Sequence, residues 1–251
     1  MIEIKKISKS FNGRKIVSDI SFSFETGKTN IIIGESGSGK TTLIRSMVGL
    51  SEPDSGEVLF DGRSFYELNF TGKKEIRKDI GMLFQGAALF DSQTVEQNVM
   101  FPLSMLTNMS ESERKDRANF CLQRVNLDNV NKLYPSELSG GMKKRVAIAR
   151  AISVQPKYLF CDEPNSGLDP KTSIVIDNLI QEITEEYNIT TIVITHDMNS
   201  VIEMADKILF IYKGENWWEG SNLDILKTEN KEVCDFVYAT KFMKNLKSKL
   251  Q

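Results

Sequence analysis

The sequence predicts an α/β fold built around a phosphate-binding loop, with an antiparallel β section at its start and a helical segment inserted in its middle. Three observations carry that expectation. The apolar run Ile31-Ile32-Ile33 leads directly into the glycine-rich stretch Gly34–Thr41 and then into a helical pattern, as a strand–loop–helix phosphate site requires. Other apolar runs of strand length end in polar residues, at Tyr158–Asp162 and Thr190–Thr195. From Phe90 to Gln155 the pattern turns mostly helical, with a capping signal at Ser110-Glu111-Ser112-Glu113.

Taken in order, Ile2, Ile4 and Ile7, then Ile20, Phe22 and Phe24, alternate with polar residues and read as antiparallel strands with one wet face. The strand Ile31–Ile33 has the continuous apolar character of a parallel strand buried on both faces. A helix follows through Leu43, Ile44, Met47, Val48 and Leu50, and further strands are expected at Glu57–Phe60, Asp79–Phe84, Tyr158–Asp162, Thr190–Thr195 and Lys207–Tyr212. The expected organisation is a core over 1–220, with a helical subdomain inserted at about 90–155, and a helical tail over 221–251. In the tail, Phe242, Met243, Leu246 and Leu250 share one helical face, while Lys241, Lys244, Lys247 and Lys249 supply charge.

Bulk properties exclude several classes. A net charge of −2 over 251 residues argues against nucleic acid as a partner, because backbone binding needs a concentrated positive field. Three widely spaced cysteines, Cys121, Cys161 and Cys234, fit neither a zinc site nor a disulfide framework and favour a reducing cytoplasm. No signal-peptide h-region opens the chain, and no apolar run nears the roughly 20 residues that span a bilayer. Any membrane role therefore calls for a partner.

Gly34, Glu35, Ser36, Gly37, Ser38, Gly39, Lys40 and Thr41 match G-x-x-x-x-G-K-[ST]. In that pattern successive N–H groups and the helix N-terminus face a β-phosphate, Lys40 reaches the β- and γ-phosphates, and the Thr41 hydroxyl is offered to Mg²⁺. The loop thus predicts a bound nucleoside triphosphate with Mg²⁺, expected to be ATP, and Thr42 closes the binding stretch. Asp162, at the tip of an apolar strand, is placed to hold Mg²⁺ through water. Glu163 after it can polarise the attacking water as general base. His196, the only histidine, ends another apolar strand, where it can contact a γ-phosphate. Gln85 ends the run Gly81-Met82-Leu83-Phe84, and its amide can ligate Mg²⁺ or water; an ordinary strand-terminal glutamine is the competing reading. In Leu138-Ser139-Gly140-Gly141-Met142, Ser139 can cap the following helix and the glycines let a phosphate approach the backbone.

The order of these motifs, with Ser166-Gly167-Leu168-Asp169 added, resembles the ABC-type ATPase family over nearly the whole chain. The resemblance implies a RecA-like core and a homodimer in which Ser139, Gly140, Gly141 and Asp169 act in trans on the partner's nucleotide. It also implies that Phe11 stacks on adenine, with a core position in the hairpin as the competing reading, and that Lys40, Glu163 and His196 are catalytic. The run Gly81–Ser92, with Asn98-Val99, Phe101-Pro102-Leu103 and Met142, is similar to Mla-type ATPases. That likeness implies phospholipid transport: integral-membrane permease subunits, an MCE-domain lipid-binding protein, and a peripheral place on the cytoplasmic face of the inner membrane. Asn165 and Cys161 depart from the usual pattern beside the strand-end acids without removing a catalytic group. An ATPase for another cargo (amino acids, metals or lipoproteins), or a soluble scaffold as in iron–sulfur cluster assembly, are the rival expectations. A DNA-repair ATPase is disfavoured by the slightly acidic charge and the lack of a coiled-coil or zinc insertion.

Overall fold

A computed structural model describes residues 1–239; the apolar and lysine positions expected on the tail, from Lys241 to Leu250, lie outside them. The described residues divide into two compact units, one formed by Met1–Leu68 and 192–239, the other by Asn69–Thr191. It begins in the first unit with β1 (Ile2–Phe11), β2 (Arg14–Phe24), β3 (Thr29–Ile33), α1 (Lys40–Met47), β4 (Ser55–Phe60) and β5 (Arg63–Ser64). The second unit holds α2 (Phe70–Lys78), β6 (Ile80–Leu83), α3 (Val95–Leu106), α4 (Glu111–Arg124), α5 (Gly140–Ile152), β7 (Tyr158–Asp162) and α6 (Pro170–Glu186). Strand β8 (Thr190–Ile194) carries the chain back to the first unit, which ends with α7 (Met198–Met204), β9 (Lys207–Tyr212), β10 (Glu215–Gly220), α8 (Asn222–Lys227) and α9 (Lys231–Val237).

In the first unit, alternation makes an antiparallel sheet of order β2-β1-β4-β5. Its register sets Ile4 opposite Phe22 and Val58, and Ile2 opposite Phe24 and Phe60. All six are buried, so the period-2 pattern has become one apolar face. The second sheet of this unit explains the unbroken apolar run. Strand β3 is buried at every residue and pairs in parallel with β9, Ile31 beside Ile208 and Ile33 beside Phe210. The carboxyl end of β3 runs into the loop at Gly34, as predicted.

In the second unit β6 and β7 run parallel, with Leu83 beside Cys161. Helices α3, α4 and α5 pack on one another through buried Val99, Leu103, Cys121, Leu122, Val146 and Ala147. Asp79, expected to open a strand, instead ends α2, and its carbonyl accepts the N–H groups of Lys157 and Tyr158 at 2.9 and 3.0 Å. Thr195 falls outside β8 because its hydroxyl accepts the Asp197 N–H at 3.0 Å, where α7 begins.

Candidate functional site

Within the first unit the phosphate loop is already shaped. Gly34 has φ +148 and Gly39, at the start of α1, has φ +107. A Cβ on Gly34 would lie 2.2 Å from the Ile211 carbonyl oxygen, so this glycine is required by space as well as by conformation. Lys40 is buried, and its Nζ donates to the carbonyls of Gly34 at 2.8 Å and Glu35 at 2.9 Å. Glu35, Ser36 and Gly37 form the exposed rim. Ser38 Oγ is buried without a hydrogen-bond partner among the described residues. An orphaned hydroxyl costs about 1–3 kcal/mol in the interior, and an anion seated at the start of α1 would engage it along with the helix N–H groups.

Thr41 is exposed on the first turn of α1 and Thr42 is half-buried behind it. His196, just past β8, is exposed. Phe11, at the end of β1, is 49% exposed with Lys9 Nζ 5.5 Å from its ring centre. It is therefore a surface aromatic and not a core residue of the hairpin.

The second unit gathers the other predicted residues. Asp162 ends β7 and Glu163 follows it, both half-buried. Glu163 has φ +50, left-handed backbone that costs a non-glycine residue about 1–2 kcal/mol, and its carbonyl accepts the Ser166 N–H at 3.2 Å. Gln85 is exposed and turns its Nε2 toward Ser166 Oγ, a long 3.5 Å contact. Cys161, behind the acids, is buried, and burial pushes its thiol up to about 12.

Helix α5 starts at the turn Leu138–Met142, with Ser139 as its cap, as predicted. Ser139 Oγ accepts the Met142 N–H at 3.2 Å; Ser139 and Gly140 are exposed and Gly141 is buried. Asp169 caps α6, accepting the N–H groups of Lys171 and Thr172 at 3.1 Å and the Thr172 hydroxyl at 2.5 Å. The Thr172 hydroxyl leads the contacts that hold its carboxyl below the usual aspartate range.

Two cations that sequence reasoning did not assign to the site also belong here. Lys144 Nζ donates to the Gln85 carbonyl and, at 3.2 Å, to the Glu163 carbonyl. Arg150 donates to the carbonyls of Ala87 and Ala88 at 2.7 Å each. Both are charges within a helix whose other buried residues are small or apolar, and it is burial that separates them from the half-buried Lys143 and Arg145 of the same basic run.

No cluster of three or more His, Cys, Asp or Glu occurs among the described residues. The Thr41 hydroxyl in the first unit and the Asp162 carboxylate in the second are each oxygen donors of the kind that Mg²⁺ takes.

The chain is similar to known proteins in sequence and in fold. A family model described as ABC transporter matches residues 17–166. The methionine import ATP-binding protein MetN of Latilactobacillus sakei subsp. sakei (strain 23K) is 40% identical over 237 residues, covering 93% of this chain and 69% of the relative. The dimeric structure of a post-hydrolysis state of the ATP-binding cassette MJ0796, bound to ADP and Pi, is 32% identical with a TM-score of 0.81, covering 88% of this chain and 99% of that one. CbiO1 from Clostridium perfringens, part of the ABC transporter complex cbiONQ, is 28% identical with a TM-score of 0.84, covering 99% and 98%. With its phosphate loop preformed and 150 consecutive residues matched by the family pattern, this chain belongs to the ABC transporter family, as an ATP-binding cassette that hydrolyses ATP with Mg²⁺.

Proposed function

We propose that the chain is the ATPase subunit of a membrane transporter, and that two copies close on two ATP molecules to drive permease subunits from the cytoplasmic face. The observation that carries this reading is the phosphate loop, where Lys40 is held on loop carbonyls and Ser38 Oγ is buried without a partner at the start of α1. Phosphate oxygens would take over both groups. In this reading Gly34–Thr42 wraps the phosphates and Phe11 stacks on adenine. Thr41, Asp162 and Gln85 would hold Mg²⁺, which when bound screens charge developing on the phosphates. Glu163 accepts a proton from the attacking water, and His196 contacts the γ-phosphate. Ser139, Gly140, Gly141 and Asp169 serve the partner's nucleotide. Only a difference in affinity for ATP between closed and open dimers can do work on the permease.

Two observations bear on cargo. The name of the Latilactobacillus relative supports an importer of methionine or a similar amino acid. The loop from Gly81 to Ser92, with Met142, supports phospholipid traffic with an MCE-domain partner, a reading to which the relatives lend nothing.

The test is to recover the protein with its native partners in detergent and measure ATP turnover after reconstitution. Recovery with a hydrophobic permease supports the transporter reading, and recovery with soluble partners alone overturns it in favour of a scaffold. Stimulation by a methionine-loaded binding protein or by phospholipid then assigns the cargo.

A further inference from the structure

Lys144 sits one turn into α5, and its side chain is buried. A buried ammonium is costly unless its protons are bonded, so the bonds it makes indicate its use. They go to two backbone carbonyls far apart in sequence: Gln85, two residues past β6, and Glu163, directly after β7. One of these carbonyls belongs to a residue in left-handed backbone, Glu163 at φ +50. The other opens a loop that α5 holds a second time, through Arg150 on Ala87 and Ala88. Both alanines are themselves left-handed, at φ +62 and +48.

We propose that Lys144 is a positioning residue that ties the Gln85 loop to the Glu163 backbone, so that displacement of the loop re-aims the Glu163 carboxylate. A lysine suits this task because its three donors diverge from one point and can serve carbonyls in different directions. The loop's position then sets whether Glu163 is aimed at the attacking water, and α5, which begins at the Ser139 turn, moves with both. This inference rests on the proposed role of Glu163 as general base.

The experiment compares the full chain with Lys144→Met, which keeps the stem and removes the donors. Steady-state ATP turnover, affinity for a fluorescent ATP analogue and amide hydrogen exchange are measured together. Expected are a fall in kcat of about tenfold or more, corresponding to at least ~1.4 kcal/mol lost from transition-state stabilisation, and analogue affinity within about twofold. Amides of 85–88 and 163–166 are expected to exchange faster together, with the middle of α5 still protected. A kcat within about twofold of the parent overturns the proposal, as does faster exchange in one segment only or throughout the unit. Should Lys144→Met fail to fold, Lys144→Gln, which keeps one donor group, is held to the same criteria with a smaller loss expected. Turnover is read on the complex recovered with its native partners; if Glu163→Gln there turns over as fast as the parent, the general-base reading fails, while exchange still reports whether the tie exists.

Discussion

Asn165 Nδ2 donates to Asp177 Oδ1 at 2.7 Å, and both side chains are buried. Asn165 follows the strand-end acids by two residues and Asp177 lies inside α6, so the bond fixes the segment after Glu163 to that helix. Asn165→Leu withdraws a donor from a buried carboxyl, which costs about 1–3 kcal/mol. The melting temperature should fall by several degrees, at about 2–4 °C per kcal/mol for a domain of this size. With Asp177→Leu added, the combined loss should be less than the sum of the two single losses. Strict additivity in thermal melts would show that the pair is not coupled.

The phosphate loop separates two kinds of glycine. Gly37 has φ +80, and a Cβ on it would find nothing within 4 Å, whereas a Cβ on Gly34 would meet the Ile211 carbonyl oxygen at 2.2 Å. Gly37→Ala should therefore cost only the left-handed conformation, about 1–2 kcal/mol, and the variant should stay folded. Gly34→Ala must displace backbone, so it should lower stability more and lose ATP-analogue binding as well. Equal losses in the two variants would contradict a steric role for Gly34.

If Glu163 is the general base, Glu163→Gln keeps the shape of the side chain and removes its basicity. ATP turnover should drop by roughly 10²- to 10⁴-fold with analogue binding retained. The left-handed backbone at this position, φ +50, is a separate source of loss, so Glu163→Gly serves as a control. It should gain stability from relieved strain and still be inactive. Wild-type turnover by the Gln variant would rule out the assignment.

Much of this fold was legible from periodicity. The alternation of Ile2, Ile4, Phe22 and Phe24 and the unbroken Ile31–Ile33 run each encode how many faces a strand buries, and the structure buries them accordingly. Elements that bury little were not legible. Helix α2 buries only Ile76, and β10 alternates between half-buried and exposed positions without a fully buried one. The phosphate loop was readable because its chemistry is local in sequence. Lys144 and Arg150 were not, because their partners are backbone carbonyls, and a carbonyl has no side-chain identity for a sequence to display. The Asn165–Asp177 bond was half visible, as an unusual residue beside the acids whose partner lies a helix away.

The thiols should divide by burial. Cys161 is fully buried with its thiol pushed up to about 12, and Cys121 to about 11, in both cases chiefly by loss of hydration. Because the thiolate is the nucleophile, neither should react with a maleimide at pH 8 while the protein is folded. Cys234 is partly accessible and should be the labelled site. Mass spectrometry after brief labelling checks this, and modification of Cys161 in the native state would contradict its burial.

Acid should loosen the helix starts. Glu113, at the start of α4, and Asp224, at the start of α8, have carboxyls held below their ordinary range. The backbone N–H of Ser110 is the leading cause for Glu113, and the hydroxyl of Ser221 for Asp224. A carboxyl whose pKa is lower in the folded state binds its proton more weakly there than in the unfolded chain. Its contribution is therefore complete above the ordinary pKa, near 4, and is lost as pH falls through the folded value. Both groups are exposed, so each effect is small and screened by salt. Glu113→Gln and Asp224→Asn keep an accepting oxygen but cannot titrate. The double variant should thus lose less of its urea midpoint between pH 6 and pH 3 than the parent does, most visibly at low ionic strength. An identical loss in both proteins would mean that the acid sensitivity arises from other carboxylates.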